Sequence, residues 1–239
     1  MTKKEEWLAG TRSAVPIMLG YVPVGIAYGV MARQAGLSTW QTVLMSLTVY
    51  GGASEMMAAG MVAQGAVVLT IVLTTFILNL RHIIMSTCVF NQMQGGRLPV
   101  RMLAAFGVTD ETFAVYTTTA NAPRTPRYFF SMALCSYLSW ALGSWLGAIA
   151  TGLLPPLITA ALGISLYAMF IGLLMPGLHG NGRLAALVVL TALCNTMLCN
   201  VVRLDSGWSM ILSTLGCAAL GSFFATPNAA GEENSHAEP

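Results

Sequence analysis

The chain has 239 residues, of which 56% are hydrophobic and 8% charged, with a formal net charge of +2. An ordinary soluble domain carries about 25% charged residues, so composition excludes one, and a small, scattered positive charge excludes a nucleic-acid-binding face. Mean hydropathy of +0.70 and several long apolar segments describe an all-α, polytopic membrane helix bundle, because only helices and closed barrels satisfy backbone polar groups in lipid.

The polar lead, 1–13, carries Lys3, Lys4, Glu5 and Glu6. It is not a cleavable signal: the apolar stretch after it is interrupted by Pro16 and Pro23. Residues 14–32 form the first expected span, with Gly25 and Gly29 at helical spacing for close packing or for a bent helix that lines a cavity. Leu37-Ser38-Thr39 offers a helix cap. The second span, 40–62, contains Tyr50-Gly51-Gly52-Ala53-Ser54-Glu55. Adjacent glycines weaken a helix by about 1 kcal/mol each relative to alanine. A broken helix is expected there, with freed backbone groups and Glu55 facing a cavity.

The third span, 66–90, is apolar, small or hydroxyl-bearing throughout except for Asn79, Arg81, His82 and their surroundings. A helix of that length reaches about 37 Å, enough to cross a hydrocarbon core of about 30 Å. Arg81 then lies at membrane depth, where an arginine costs roughly 2.5–3.5 kcal/mol. Gly95-Gly96 and Pro99 mark a turn. Segment 100–120 is apolar enough to cross but holds Asp110 and Glu111 at its centre; Thr109 caps a half-helix with both acids in its first turn. Spans follow at 128–153, 157–175, 184–202 and 208–224, which makes about seven (six to eight) in a membrane domain of 14–225. Tail 226–239 is polar and expected to be disordered. Val72-Leu73-Thr74 and Val189-Leu190-Thr191 hint at an internal repeat.

The five cysteines, Cys88, Cys135, Cys194, Cys199 and Cys217, fall in apolar segments and read as small buried hydrophobes. No metal-ligand spacing, phosphate loop or nucleophile–base arrangement is present, so no metal, no cofactor and no catalytic residue is expected. The chemistry-bearing groups at membrane depth are Glu55, Arg81, His82, Asp110 and Glu111. One permanent cation faces three acids, so at least one acid is protonated, solvated or open to a cation. Arg81 either forms an internal ion pair with Glu55 or Asp110 or offers its planar fork to a substrate carboxylate. His82 is either a packing histidine or a proton relay. On an ideal helix Arg81 and His82 point about 100° apart and need not face the same space.

Three motifs, Tyr50-Gly-Gly-Ala-Ser-Glu55, Asn79-Leu-Arg-His82 and Phe106-Gly-Val-Thr-Asp-Glu-Thr-Phe113, together resemble the AzlC-like branched-chain amino acid permease family over roughly residues 12–225. The pattern of Pro23, Gly25 and Gly29, the Gly36-Leu37-Ser38 turn and the aromatic-rich stretch 137–147 share the resemblance. It implies a multi-pass protein of the bacterial inner membrane that exports branched-chain amino acids together with a small AzlD-like membrane subunit. Substrate contacts are expected from Gly51, Gly52, Ser54, Glu55, Asn79 and Arg81, and proton coupling from Glu55, His82, Asp110 and Glu111. Glu55 departs from the family pattern, which has glutamine there. The rivals are a channel or importer for another small solute and a non-transporting membrane subunit whose charges only pair helices.

Overall fold

The computed structural model describes residues 2–119, 122–153, 182–204 and 206–224, with scattered positions between 155 and 178. The span expected at 157–175 falls largely outside the described residues, and the tail 226–239 wholly so. Every long element among the described residues is an α-helix. The chain divides into two compact units, 1–172 and 173–239.

In the first unit, α1 runs Lys3–Gln34. It begins far earlier than the span expected at 14, so the polar lead is its first turns rather than a separate segment. The cause is local: Thr2 and Glu5 make a reciprocal capping box, and Glu5 and Glu6 complement the helix dipole. Pro16 and Pro23 remain inside α1. Helix α8, Pro126–Ala150, lies along it. The glycine pairs on the two helices explain how closely. A Cβ on Gly25 would stand 3.2 Å from the Gly143 Cα, and one on Gly143 would stand 2.7 Å from the Val22 carbonyl oxygen. Gly29 and Gly147 would meet the Ser144 and Ile26 carbonyls more closely still. Small residues that let backbones touch are the usual means of joining helices in lipid, where apolar side chains gain nothing by leaving the tails.

The second expected span is broken, as its glycines require. Helix α2 covers Thr39–Thr48, with Ser38 and Gln41 forming its capping box, and α3 covers Gly52–Ala63. Between them Tyr50 has a φ of 47°, the left-handed region. A non-glycine residue there costs about 1–2 kcal/mol and persists only when its surroundings hold it. The Tyr50 ring is wedged among Tyr137, Phe106 and Tyr21, with centroids 4.9, 6.0 and 6.4 Å away.

The third span also departs from a continuous rod. Helix α4, Val68–Asn79, meets α5, Arg81–Gln92, at Leu80, which keeps helical backbone angles. Together they are long and apolar enough to cross a membrane. Segment 100–120 forms two short helices, α6 (Leu98–Phe106) and α7 (Asp110–Thr118), separated by Gly107, Val108 and Thr109. Each has nine residues and reaches only about 14 Å, so neither half spans a bilayer alone.

In the second unit α9, Gly182–Asn200, and α10, Ser206–Phe224, pack on each other. The Ser209 hydroxyl donates to the Asn195 side-chain oxygen at 2.8 Å, and Gly221 lies against Leu187.

Candidate functional site

Three interruptions meet at one cavity. Its walls are Tyr50, Gly51, Gly52 and Ala53 from the α2–α3 break, Arg81 and His82 from the start of α5, and Thr109, Asp110 and Glu111 from the start of α7. Tyr21 of α1 and Trp140 of α8 complete the lining. Its volume of about 20 Å³ admits roughly one water molecule. Anything larger than water therefore enters only if these segments move apart.

The two clean breaks aim helix N-termini at this space. The first four N–H groups of a helix lack partners within it. In α3, Ser54 and Glu55 donate to the Gly51 carbonyl at 2.6 and 3.0 Å, which leaves the Gly52 and Ala53 N–H groups at the cavity wall. In α7, Thr109 is the N-cap, accepting from the Thr112 N–H at 3.3 Å while the Thr109 N–H donates back to the Thr112 hydroxyl at 2.8 Å. Asp110 and Glu111 occupy the first turn, where the dipole favours carboxylates.

Arg81 Nη2 lies 2.9 Å from Asp110 Oδ2. Of the two partners open in the sequence, the structure selects Asp110. Both side chains are partly exposed, at 40% and 27%, and the Arg81 Nε is buried without a hydrogen bond. Arg81 and His82 both line this cavity, a convergence that helical spacing left open. The interruption at Leu80 places both in the first turn of α5, at the lip where α7 begins.

Glu55 is elsewhere. It is fully buried and is absent from the cavity lining. Its Oε1 accepts from the Gly51 N–H at 3.0 Å. Its Oε2 accepts from the Ser46 hydroxyl at 2.9 Å and the Trp140 indole N–H at 3.2 Å. Ser46 in turn lies 2.8 Å from the Ser144 hydroxyl. The carboxyl thus ties α2, the break, α3 and α8 together behind the cavity wall. Ser54 also turns inward, donating to the Gly51 carbonyl at 2.7 Å. Asn79 does not line the cavity; its Oδ1 is buried without a partner, and a Cβ on Gly51 would stand 3.0 Å from it.

Glu111 faces α1. Tyr21 Oη donates to its Oε2 at 2.6 Å and lies 2.7 Å from the Thr109 hydroxyl. Sequence reasoning passed over Tyr21 and Trp140 as site residues. Trp140 stood within the aromatic-rich stretch of α8, a usable signal, but Tyr21 carried none beyond its place two residues before Pro23. Among the described residues no cluster of three or more His, Cys, Asp or Glu could hold a metal ion.

The family model described as AzlC protein matches residues 16–154, the stretch that supplies every side chain of this cavity. The chain belongs to the AzlC family. An uncharacterized membrane protein of Archaeoglobus fulgidus is 34% identical over 188 residues, covering 78% of this chain and 82% of the relative. Inner membrane protein YgaZ of Escherichia coli is 31% identical, covering 71% and 72%. The branched-chain amino acid transport protein AzlC of Bacillus subtilis is 28% identical, covering 62% and 61%. No solved structure matches. Family membership, composition and the four helices of spanning length among the described residues agree: this is a polytopic membrane protein of a transport family.

Proposed function

We propose that the chain is an inner-membrane transporter that exports small apolar, branched-chain amino acids with a small AzlD-like membrane subunit, driven by the proton gradient or membrane potential. The observation that carries this reading is the convergence of Arg81 with the N-termini of α3 and α7 on one cavity. An anion at that point meets a planar guanidinium fork and the Gly52 and Ala53 N–H groups, which have no backbone acceptor among the described residues, the combination that favours a carboxylate. An acid of α7 faces the ammonium group. The Tyr21, Tyr50 and Trp140 rings offer an apolar wall. The Bacillus subtilis relative's name supports the branched-chain class.

Glu55 fits this reading as the pin of the break rather than as a substrate contact. His82, Asp110 and Glu111 remain the groups through which a proton would be coupled, since they adjoin the cavity.

Reconstitution into proteoliposomes, with and without a small AzlD-like subunit, tests the proposal. Leucine, valine and isoleucine should exchange across the membrane and respond to an imposed pH gradient or potential. A branched-chain amino acid that neither moves nor competes favours a channel or importer for another solute.

A further inference from the structure

The cavity contains two acids and one permanent cation. Arg81 is engaged with Asp110, and Glu111 has no ion-pair partner among the described residues. Its Oε2 accepts from the Tyr21 hydroxyl. A carboxylate only accepts, so the Tyr21 proton points at Glu111 and the Thr109 hydroxyl must donate to the Tyr21 oxygen. The short 2.6 Å contact is the length expected of a charge-assisted bond. Nearby, the Tyr50 hydroxyl is buried but makes no hydrogen bond of good geometry.

We propose that Glu111 recognises the substrate's ammonium group, and that Tyr21 is a positioning residue that occupies the amine subsite between turnovers and yields it when substrate arrives. This rests on the transport reading above. An α-ammonium has three N–H donors, and once Tyr21 has yielded the cavity offers the two Glu111 carboxylate oxygens and the Tyr50 oxygen as acceptors for them. Adjacency supports the assignment. In an α-amino acid a single carbon separates carboxylate and ammonium. Asp110, which marks the position of the Arg81 fork, and Glu111 both line this one small cavity. Substrate would thus replace two resting contacts at once, Asp110 on Arg81 and Tyr21 on Glu111. Those contacts join α7 to α5 and to α1, so a zwitterion is the ligand that releases both.

Leucine and 4-methylpentanoate, the same skeleton without the amino group, separate the two halves of the site. Both are titrated as competitors against the reconstituted wild type, Glu111→Gln and Tyr21→Phe. Glu111→Gln should weaken leucine by about 10–100-fold, the range of a lost charged hydrogen bond, and leave 4-methylpentanoate within about 3-fold, a result that also reports an intact carboxylate site. Tyr21→Phe removes the competing hydroxyl proton from Glu111; leucine should bind as well as before or up to about 10-fold tighter, with turnover reduced and the analogue unmoved. Equal losses for both ligands in Glu111→Gln, or a leucine affinity that falls in Tyr21→Phe in step with the analogue, overturns the proposal. Failure of the wild type to bind or move leucine defeats the transport reading; leucine binding with amine discrimination untouched by Glu111→Gln defeats this inference alone.

Discussion

Asp110 sits on Arg81 at 2.9 Å, at the position a substrate carboxylate would take. The pair joins the start of α5 to the start of α7, so on the proposed transport reading it would serve both as a substitute ligand and as a clasp. Partly exposed ion pairs contribute only about 0–1 kcal/mol, so a bound carboxylate can displace this one at small cost.

That weakness gives a signed prediction. Asp110→Asn should lower the apparent KM for leucine by up to about 5-fold, the equivalent of 1 kcal/mol of relieved competition, while slowing turnover because the resting clasp is lost. Arg81→Ala should abolish saturable uptake, and Arg81→Lys should restore a minor fraction, since an ammonium cannot present a planar fork. Initial rates across a substrate series in proteoliposomes read both. A raised KM in Asp110→Asn would show that Asp110 helps hold substrate instead.

Glu55 yields a prediction about pairs. Gly51 N–H and Trp140 Nε1–H are obligate donors on its two oxygens. A glutamine must turn its amide nitrogen toward one of them. Glu55→Gln should therefore destabilise the protein by about 1–3 kcal/mol, the penalty of a buried donor left unpaired. Adding Trp140→Phe removes one obligate donor and lets the amide nitrogen face Ser46. The double variant should melt closer to Glu55→Gln than additivity allows, with a coupling of about 1 kcal/mol. Thermal unfolding in detergent of both singles and the double measures it; strict additivity would mean that the two side chains do not share the interaction.

Glycine substitutions offer a matched contrast on α1 and α8. A Cβ on Gly147 runs into the Ile26 backbone, whereas one on Gly20 meets nothing within 4 Å. Gly147→Ala should cost about 1–3 kcal/mol through overpacking, and Gly20→Ala should be neutral or stabilise by about 0.5–1 kcal/mol. Equal melting temperatures for the two variants would contradict the close packing of the helices.

Gly52→Ala addresses the cavity itself. Its Cβ would stand 2.9 Å from the Trp140 ring, beside one of the free N–H groups. Transport should fall at least about 10-fold, as one lost or displaced hydrogen bond to a charged ligand would produce. Melting should change less than in Gly147→Ala, because the atom it meets belongs to a side chain at a cavity edge. Paired flux and unfolding measurements separate the two effects.

The sequence by itself determined the material and the punctuation. Apolar composition required helices in lipid, Gly51-Gly52 and the Thr109 cap marked the two breaks, and an arginine at membrane depth required a partner. Those follow from local energetics: backbone entropy at glycine, capping at threonine, and the cost of a buried charge. Tertiary structure alone decided how the pieces share space. Asp110 rather than Glu55 reached Arg81, because the α7 N-terminus docks at the start of α5 while Glu55 is held by donors from Ser46, Gly51 and Trp140. Tyr21 entered the site from a helix 88 residues away in sequence from its partner Thr109. Periodicity places a residue on the face of its own helix; only the packing of α1, set by glycines against α8, placed Tyr21 beside Glu111.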